Sequence, residues 1–178
     1  VRTFQGVRAV LAGEPLDELV EQIETNQQHQ RGFIATSSIT HGDRMKFEDV
    51  VVALESSGLQ NGDTVMVHSD ISTLGPTMAG FDRHAVLEFY LSAFQEVLGC
   101  EGTLLVPAFF FDAGRFGNTF VLEDSPAQTG AFSEFIRSRA NSVRSLHPVF
   151  SIAGLGPKAK DICGGSHRSA YSYDSPWG

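Results

Sequence analysis

From residue 47 onward the chain alternates helix-like segments with short, almost wholly apolar runs, and this alternation limits the folds open to it. FEDVVVALESSG has a helical pattern and stops at Gly58, where a left-handed cap is expected. GDTVMVHS reads as a strand opened by a Gly-Asp turn. FDRHAVLEFYLSAFQEVLG is a long amphipathic helix ending at Gly99, and GTLLVPAFFF is a second apolar strand. TGAFSEFIRSRA predicts a helix with Thr129 as N-cap, and GPKAKDICGG a short helix with Pro157 at its start. Strands without polar alternation are buried on both faces, so the pattern implies an α/β domain with a partly parallel sheet.

Residues 1–45 differ from the rest. PLDELVEQIETNQQH places Leu16, Leu19, Val20 and Ile23 on one helical face, and RGFIATSSITHGDRM reads as a linker or extended arm. The expected organisation is therefore an N-terminal helix and linker over 1–45 and an α/β domain over 46–178. The chain opens on Val1 and closes on DSPWG, which reads as a fragment of a longer protein.

In open α/β sheets, ligands bind beyond the carboxyl ends of the strands. Three stretches qualify. In VMVHSDISTLG the strand breaks into His68, Ser69, Asp70 and Ser72 and closes on Gly75. Turn amides and the hydroxyls of Ser69, Ser72 and Thr73 can hold phosphate oxygens, or Ser69 and Asp70 can simply satisfy turn backbone. In VPAFFFDAGRFGNTFVLEDSP the Phe run at 109–111 forms an apolar wall or ordinary core, and Asp112, Glu123 and Asp124 could meet a cationic amine. In RSLHPVFSIAGLG, Arg144 offers a phosphate-binding fork and His147, held extended by Pro148, a base or donor. The alternative there is a surface arginine beside a packed histidine.

The formal charge of −8, from 13 basic and 21 acidic residues, argues against a nucleic-acid partner and favours a cationic ligand. No apolar run reaches the length of a membrane span, and no signal pattern opens the chain. Cys100 and Cys163 form no metal pair and are read as reduced, which suits the cytoplasm. His68, Asp70, His147 and Asp174 are metal-ligand types, but their spacing matches no tight signature, so no metal is assigned.

In this order GDTVMVHSDISTLG, VLGCEGTLLVPAFFF, EDSPAQTGAFSEFIR, RSLHPVFSIAGLGPKA and DSP resemble the antibiotic N-acetyltransferases, whose best-known members are aminoglycoside 3-N-acetyltransferases. The resemblance covers residues 47–178. It implies an α/β/α sandwich with a mixed, partly parallel sheet, unlike the common GNAT acetyltransferases. It further implies transfer of an acetyl group from acetyl-CoA to an amine of an aminoglycoside or other amino sugar, in antibiotic resistance or in biosynthesis. His68, Ser69, Ile71, Ser72, Leu74 and Gly75 would line the CoA diphosphate and pantetheine, with Arg144, Ser145, His147 and Ser151 opposite. Phe109, Phe111, Asp112 and Asp124 would face the acceptor. The family's usual HSS or HAS is His68-Ser69-Asp70 here, which sets a carboxylate near a polyanionic cofactor. Its T-x-x-H-x-x-E segment, with the catalytic histidine, is expected beyond Gly178, so no catalytic residue is assigned and His68 is not given that role. Residues 1–45 are read as an oligomerisation or capping element. Two alternatives stand: a catalytically incomplete CoA-binding or structural homologue, and a metal-dependent hydrolase using His68 and Asp70.

Overall fold

The computed structural model describes residues 44–164 together with residues 175 and 177. The N-terminal helix and nearly all of the linker expected over 1–45 lie outside these residues, as does Asp174. Met45 pairs with Thr77, and the Arg44 guanidinium lies 4.7 Å from the centre of the Phe81 ring.

Helix α1 (Phe47–Ser56) ends as its sequence predicts. Gly58 takes φ +90°, its N–H donates to Glu55 O at 2.9 Å, and the Leu59 N–H donates to Leu54 O at 3.3 Å. These are the paired bonds of a Schellman cap. Strand β1 (Thr64–Met66) leads through a 3-10 turn (Ile71–Thr73) to helix α2 (Arg83–Leu98), whose N-cap Asp82 accepts from the Ala85 N–H at 2.8 Å. Strand β2 (Thr103–Pro107) follows, then helix α3 (Phe111–Phe116) and helix α4 (Ala131–Arg137). Strands β3 (Val143–Arg144) and β4 (Ile152–Leu155) and helix α5 (Ala159–Cys163) complete the domain.

The sheet order is β1-β2-β4-β3. β1 and β2 are parallel, with Val65 opposite Leu104, while β4 runs antiparallel to both β2 and β3. The sheet is therefore mixed, as expected. Alternate side chains divide between two faces. Val65, Leu104, Val106, Ala153 and Leu155 join Leu87, Leu91, Phe132 and Ile136 from the helices in the larger core. Met66, Leu105 and Ile152 turn the other way onto Cys163 and Ile162 of α5. Helices thus cover both faces, which gives the α/β/α layering and accounts for strands with no polar alternation.

Three local expectations change. The second apolar run does not continue as a strand through its phenylalanines: it ends at Pro107, and Phe111 opens α3. Thr129 does not cap α4, whose N-cap is Gly130; the Thr129 hydroxyl instead donates to Pro107 O at 2.5 Å, tying the helix start to the end of β2. The β3–β4 pair, within the third polar stretch, has no counterpart in the expected elements.

Candidate functional site

The register brings all three polar stretches to one end of the sheet. β1 and β2 are parallel, so residues 68 and 109 leave it on the same side. Pro107 stands opposite Ile152 and Arg144 opposite Ala153, so the end of β3 and the start of β4 meet there too. An open groove of about 360 Å³ lies at this end, lined by His68, Ser69, Pro107, Phe109, Phe111, Gln128 and Thr129.

The turn over 68–75 is built from the inside. Asp70 caps the 3-10 turn: its carboxylate accepts from the Ser72 N–H at 3.1 Å and the Ser72 hydroxyl at 2.5 Å. The Thr73 hydroxyl donates to Asp70 O at 2.8 Å. The carboxylate thus serves the turn's own backbone, as a short polar side chain can. Ile71 packs against the larger core and anchors the turn, whereas Leu74 and Gly75 are exposed. The amides of Ser69 and Gly75 make no hydrogen bond among the described residues. Replacing Asp70 by alanine should cost about 1 kcal/mol of stability, and Asp70→Asn, which keeps the acceptor, much less. Urea unfolding of both variants checks this, and an Asp70→Ala variant as stable as the parent would show that the cap contributes nothing.

His68 is exposed, and its ring centre lies 5.9 Å from that of Trp177. Partial burial lowers its pKa from the usual 6.5, so the imidazole is neutral at pH 7. Phe109 packs edge-on against Phe111, Phe150 and Trp177, at 5.8, 5.1 and 5.5 Å between ring centres. Part of the Phe run is therefore groove wall, while Phe110 is 7% exposed and belongs to the core. Trp177 has no local motif to announce it, yet its indole N–H donates to Phe150 O at 2.9 Å and seats its ring beside His68 and Phe109.

Arg144 does not present its fork outward. Its guanidinium donates to Ala108 O at 2.6 Å, Leu122 O at 3.3 Å, Ser125 O and the Ser151 hydroxyl at 3.1 Å, and Phe120 lies across it at 4.8 Å. Burial, then the charge of Arg137, lowers its pKa to about 10, so it stays protonated at pH 7. The expected phosphate fork thus gives way to an inward tie between the 120–125 segment and the end of β2. Ser145 and Ser151 are fully buried with it. The Ser145 hydroxyl accepts from the Ile152 N–H at 3.0 Å, and that of Ser151 donates to Ala108 O at 2.6 Å. His147 is half-buried, and its Nδ1 accepts from the Phe150 N–H at 2.9 Å and the Val149 N–H at 3.2 Å, which puts the proton of the neutral ring on Nε2.

Among the acids, the Asp112 N–H donates to the Gln128 carboxamide oxygen at 3.2 Å, at the groove's edge. Glu123 and Asp124 are not groove-lining residues. The Glu123 carbonyl accepts from Arg137 at 2.6 Å. Arg137's pKa is raised chiefly by its bonds to Glu134, with Asp124's charge adding to the effect. Gln128 and Thr129 line the groove; the block EDSPAQTGAFSEFIR contains both, yet as uncharged side chains they give no sign there of facing a ligand. No three His, Cys, Asp or Glu side chains among the described residues come together as a metal ion requires.

A sequence profile of the family described as aminoglycoside 3-N-acetyltransferase matches residues 66–178. Aminoglycoside N(3)-acetyltransferase VII of Streptomyces paromomycinus is 30% identical over 142 residues, covering 70% of this chain and 44% of the relative. Aminoglycoside N(3)-acetyltransferase IX of Micromonospora chalcea is 26% identical over 168 residues, covering 84% of this chain and 52% of the relative. The chain therefore spans about half the length of these relatives. The apoenzyme of aminoglycoside acetyltransferase AAC(3)-IVa superposes with a TM-score of 0.65 at 25% identity, over 77% of this chain and 51% of that one. Sisomicin-bound AAC-VIa superposes with a TM-score of 0.64 at 25% identity, over 75% and 55%. By profile, by relatives and by fold, the chain belongs to the aminoglycoside 3-N-acetyltransferase family.

Proposed function

We propose that this chain is the CoA-binding portion of an acetyl-CoA-dependent N-acetyltransferase acting on an amino group of an aminoglycoside or other amino sugar, with a cytoplasmic site of action. The observation that carries the reading is the convergence of the 68–75 turn, the end of β2 and residues 128–129 on one groove at the ligand-binding end of the sheet. The Ser69 and Gly75 amides, uncommitted among the described residues, are donors suited to phosphate or carbonyl oxygens. The phenylalanine wall, set toward the acceptor by the resemblance, is also apolar enough to suit the methylenes of a pantetheine arm and its acyl group. The similar AAC-VIa has been solved with sisomicin, so aminoglycosides are the first acceptors to test.

In the reaction a base removes a proton from the acceptor ammonium, and the amine nitrogen attacks the thioester carbonyl. The C–N bond forms, the tetrahedral intermediate collapses, the C–S bond breaks, and the CoA thiolate takes up a proton. Donors aimed at the carbonyl oxygen stabilise the intermediate's negative charge. The base is assigned to no residue of this chain.

Titration calorimetry with CoA, followed by thiol-release assays with acetyl-CoA and a panel of aminoglycosides and amino sugars, tests the proposal. Saturable CoA binding and amine-dependent thiol release are the expected results. Binding without release would favour the CoA-binding homologue, and neither would end the CoA reading altogether.

A further inference from the structure

Residues 128 and 129 present the groove with one hydrogen-bond donor group beside one acceptor. The Gln128 N–H donates to Phe109 O at 2.7 Å, which fixes the backbone against the end of β2. Its side-chain carboxamide accepts from the Asp112 N–H through Oε1. A backbone N–H can only donate, so the oxygen must face Asp112 and the amide cannot be flipped. The Nε2 group makes no hydrogen bond among the described residues, so the side chain's remaining capacity is to donate. Thr129 is the reverse. Its hydroxyl proton is committed to Pro107 O, so its oxygen offers the groove lone pairs.

We propose that Gln128 and Thr129 form a clamp for the two secondary amides of the pantetheine arm. Gln128 Nε2 donates to the carbonyl of one and Thr129 Oγ1 accepts the N–H of the other, while Phe109 and Phe111 flank the methylenes. This rests on the CoA reading above and specifies which part of the cofactor the groove takes. A phosphate is the wrong ligand here, because its oxygens would meet the lone pairs of Thr129. The diphosphate therefore lies off this end of the groove.

Titration calorimetry on the 178-residue chain tests the clamp with two probes, CoA and adenosine 3′,5′-bisphosphate, the second of which lacks the pantetheine arm. Gln128→Met removes the donor and the contact to Asp112. Gln128→Glu keeps an acceptor for the Asp112 N–H but removes the donor. Both variants should bind CoA roughly fivefold more weakly, the effect of one neutral hydrogen bond, and the nucleotide as the parent does. Unchanged CoA affinity in Gln128→Glu would overturn the clamp, since the contact to Asp112 would then suffice. Equal weakening of both probes would overturn it as well, since the effect would not belong to the arm. If the parent chain binds no CoA, the reading beneath the proposal fails, and the clamp with it.

Discussion

Replacing Arg144 by methionine should destabilise the domain by about 3–5 kcal/mol, because several buried acceptors lose their charged donor at once. Arg144 is 9% exposed, and its fork reaches the Ala108, Leu122 and Ser125 carbonyls and the Ser151 hydroxyl. Methionine fills much of the same volume and meets none of these bonds. The Ser125 carbonyl would lose its bond to the guanidinium, and burying a polar group without a partner costs on the order of 1–3 kcal/mol. Phe120 would lose the cation it faces at 4.8 Å. Arg144→Lys is the informative companion: it restores the charge but, as a point donor on a flexible stem, cannot span acceptors that lie on separate segments. Urea unfolding should rank the chains parent, then lysine, then methionine. A methionine variant within about 0.5 kcal/mol of the parent, the range of ordinary surface substitutions, would show that the tie holds nothing.

The same residue shows where sequence reasoning stops. The fold class was legible because apolar strands and amphipathic helices differ in period, and because Gly58 and Gly99 mark helix ends by their chemistry. The groove's location was legible because strands β1 and β2 end abruptly in polar or aromatic residues. What each residue does there was less so. An arginine beside serine reads the same whether it faces a phosphate or three carbonyls 19 to 36 positions away in the chain. Asp70 likewise reads the same as a ligand contact and as a cap, since both need a short carboxylate after a strand. The β3–β4 pair escaped because Val143–Arg144 is a two-residue strand, too short to show an alternation. Gln128 and Trp177 act at the groove only through contacts made after folding.

Gly156→Ala is expected to cost about 3–5 kcal/mol, by summing backbone strain and overpacking. Gly156 follows β4 and turns the chain toward α5 at φ +121°, a region that residues with a side chain rarely adopt. A Cβ there would lie 2.3 Å from Gly102 O and 2.7 Å from Thr103 Cα. Both are backbone atoms at the start of β2, so no side-chain rotation relieves the contact. The chain would have to move where the Lys158 N–H meets Thr103 Oγ1 at 3.1 Å, or β2 would have to shift beneath the core. Gly117→Ala separates the two contributions, because Gly117 has φ +70° with nothing within 4 Å of the added carbon. That variant should lose only about 1 kcal/mol, the strain of a left-handed alanine. Thermal melts should place Gly156→Ala roughly 10 °C below the parent and Gly117→Ala only a few degrees below it. Equal midpoints for the two variants would mean that the close approach of β4 to β2 is soft, and that sheet and α5 can part there at little cost.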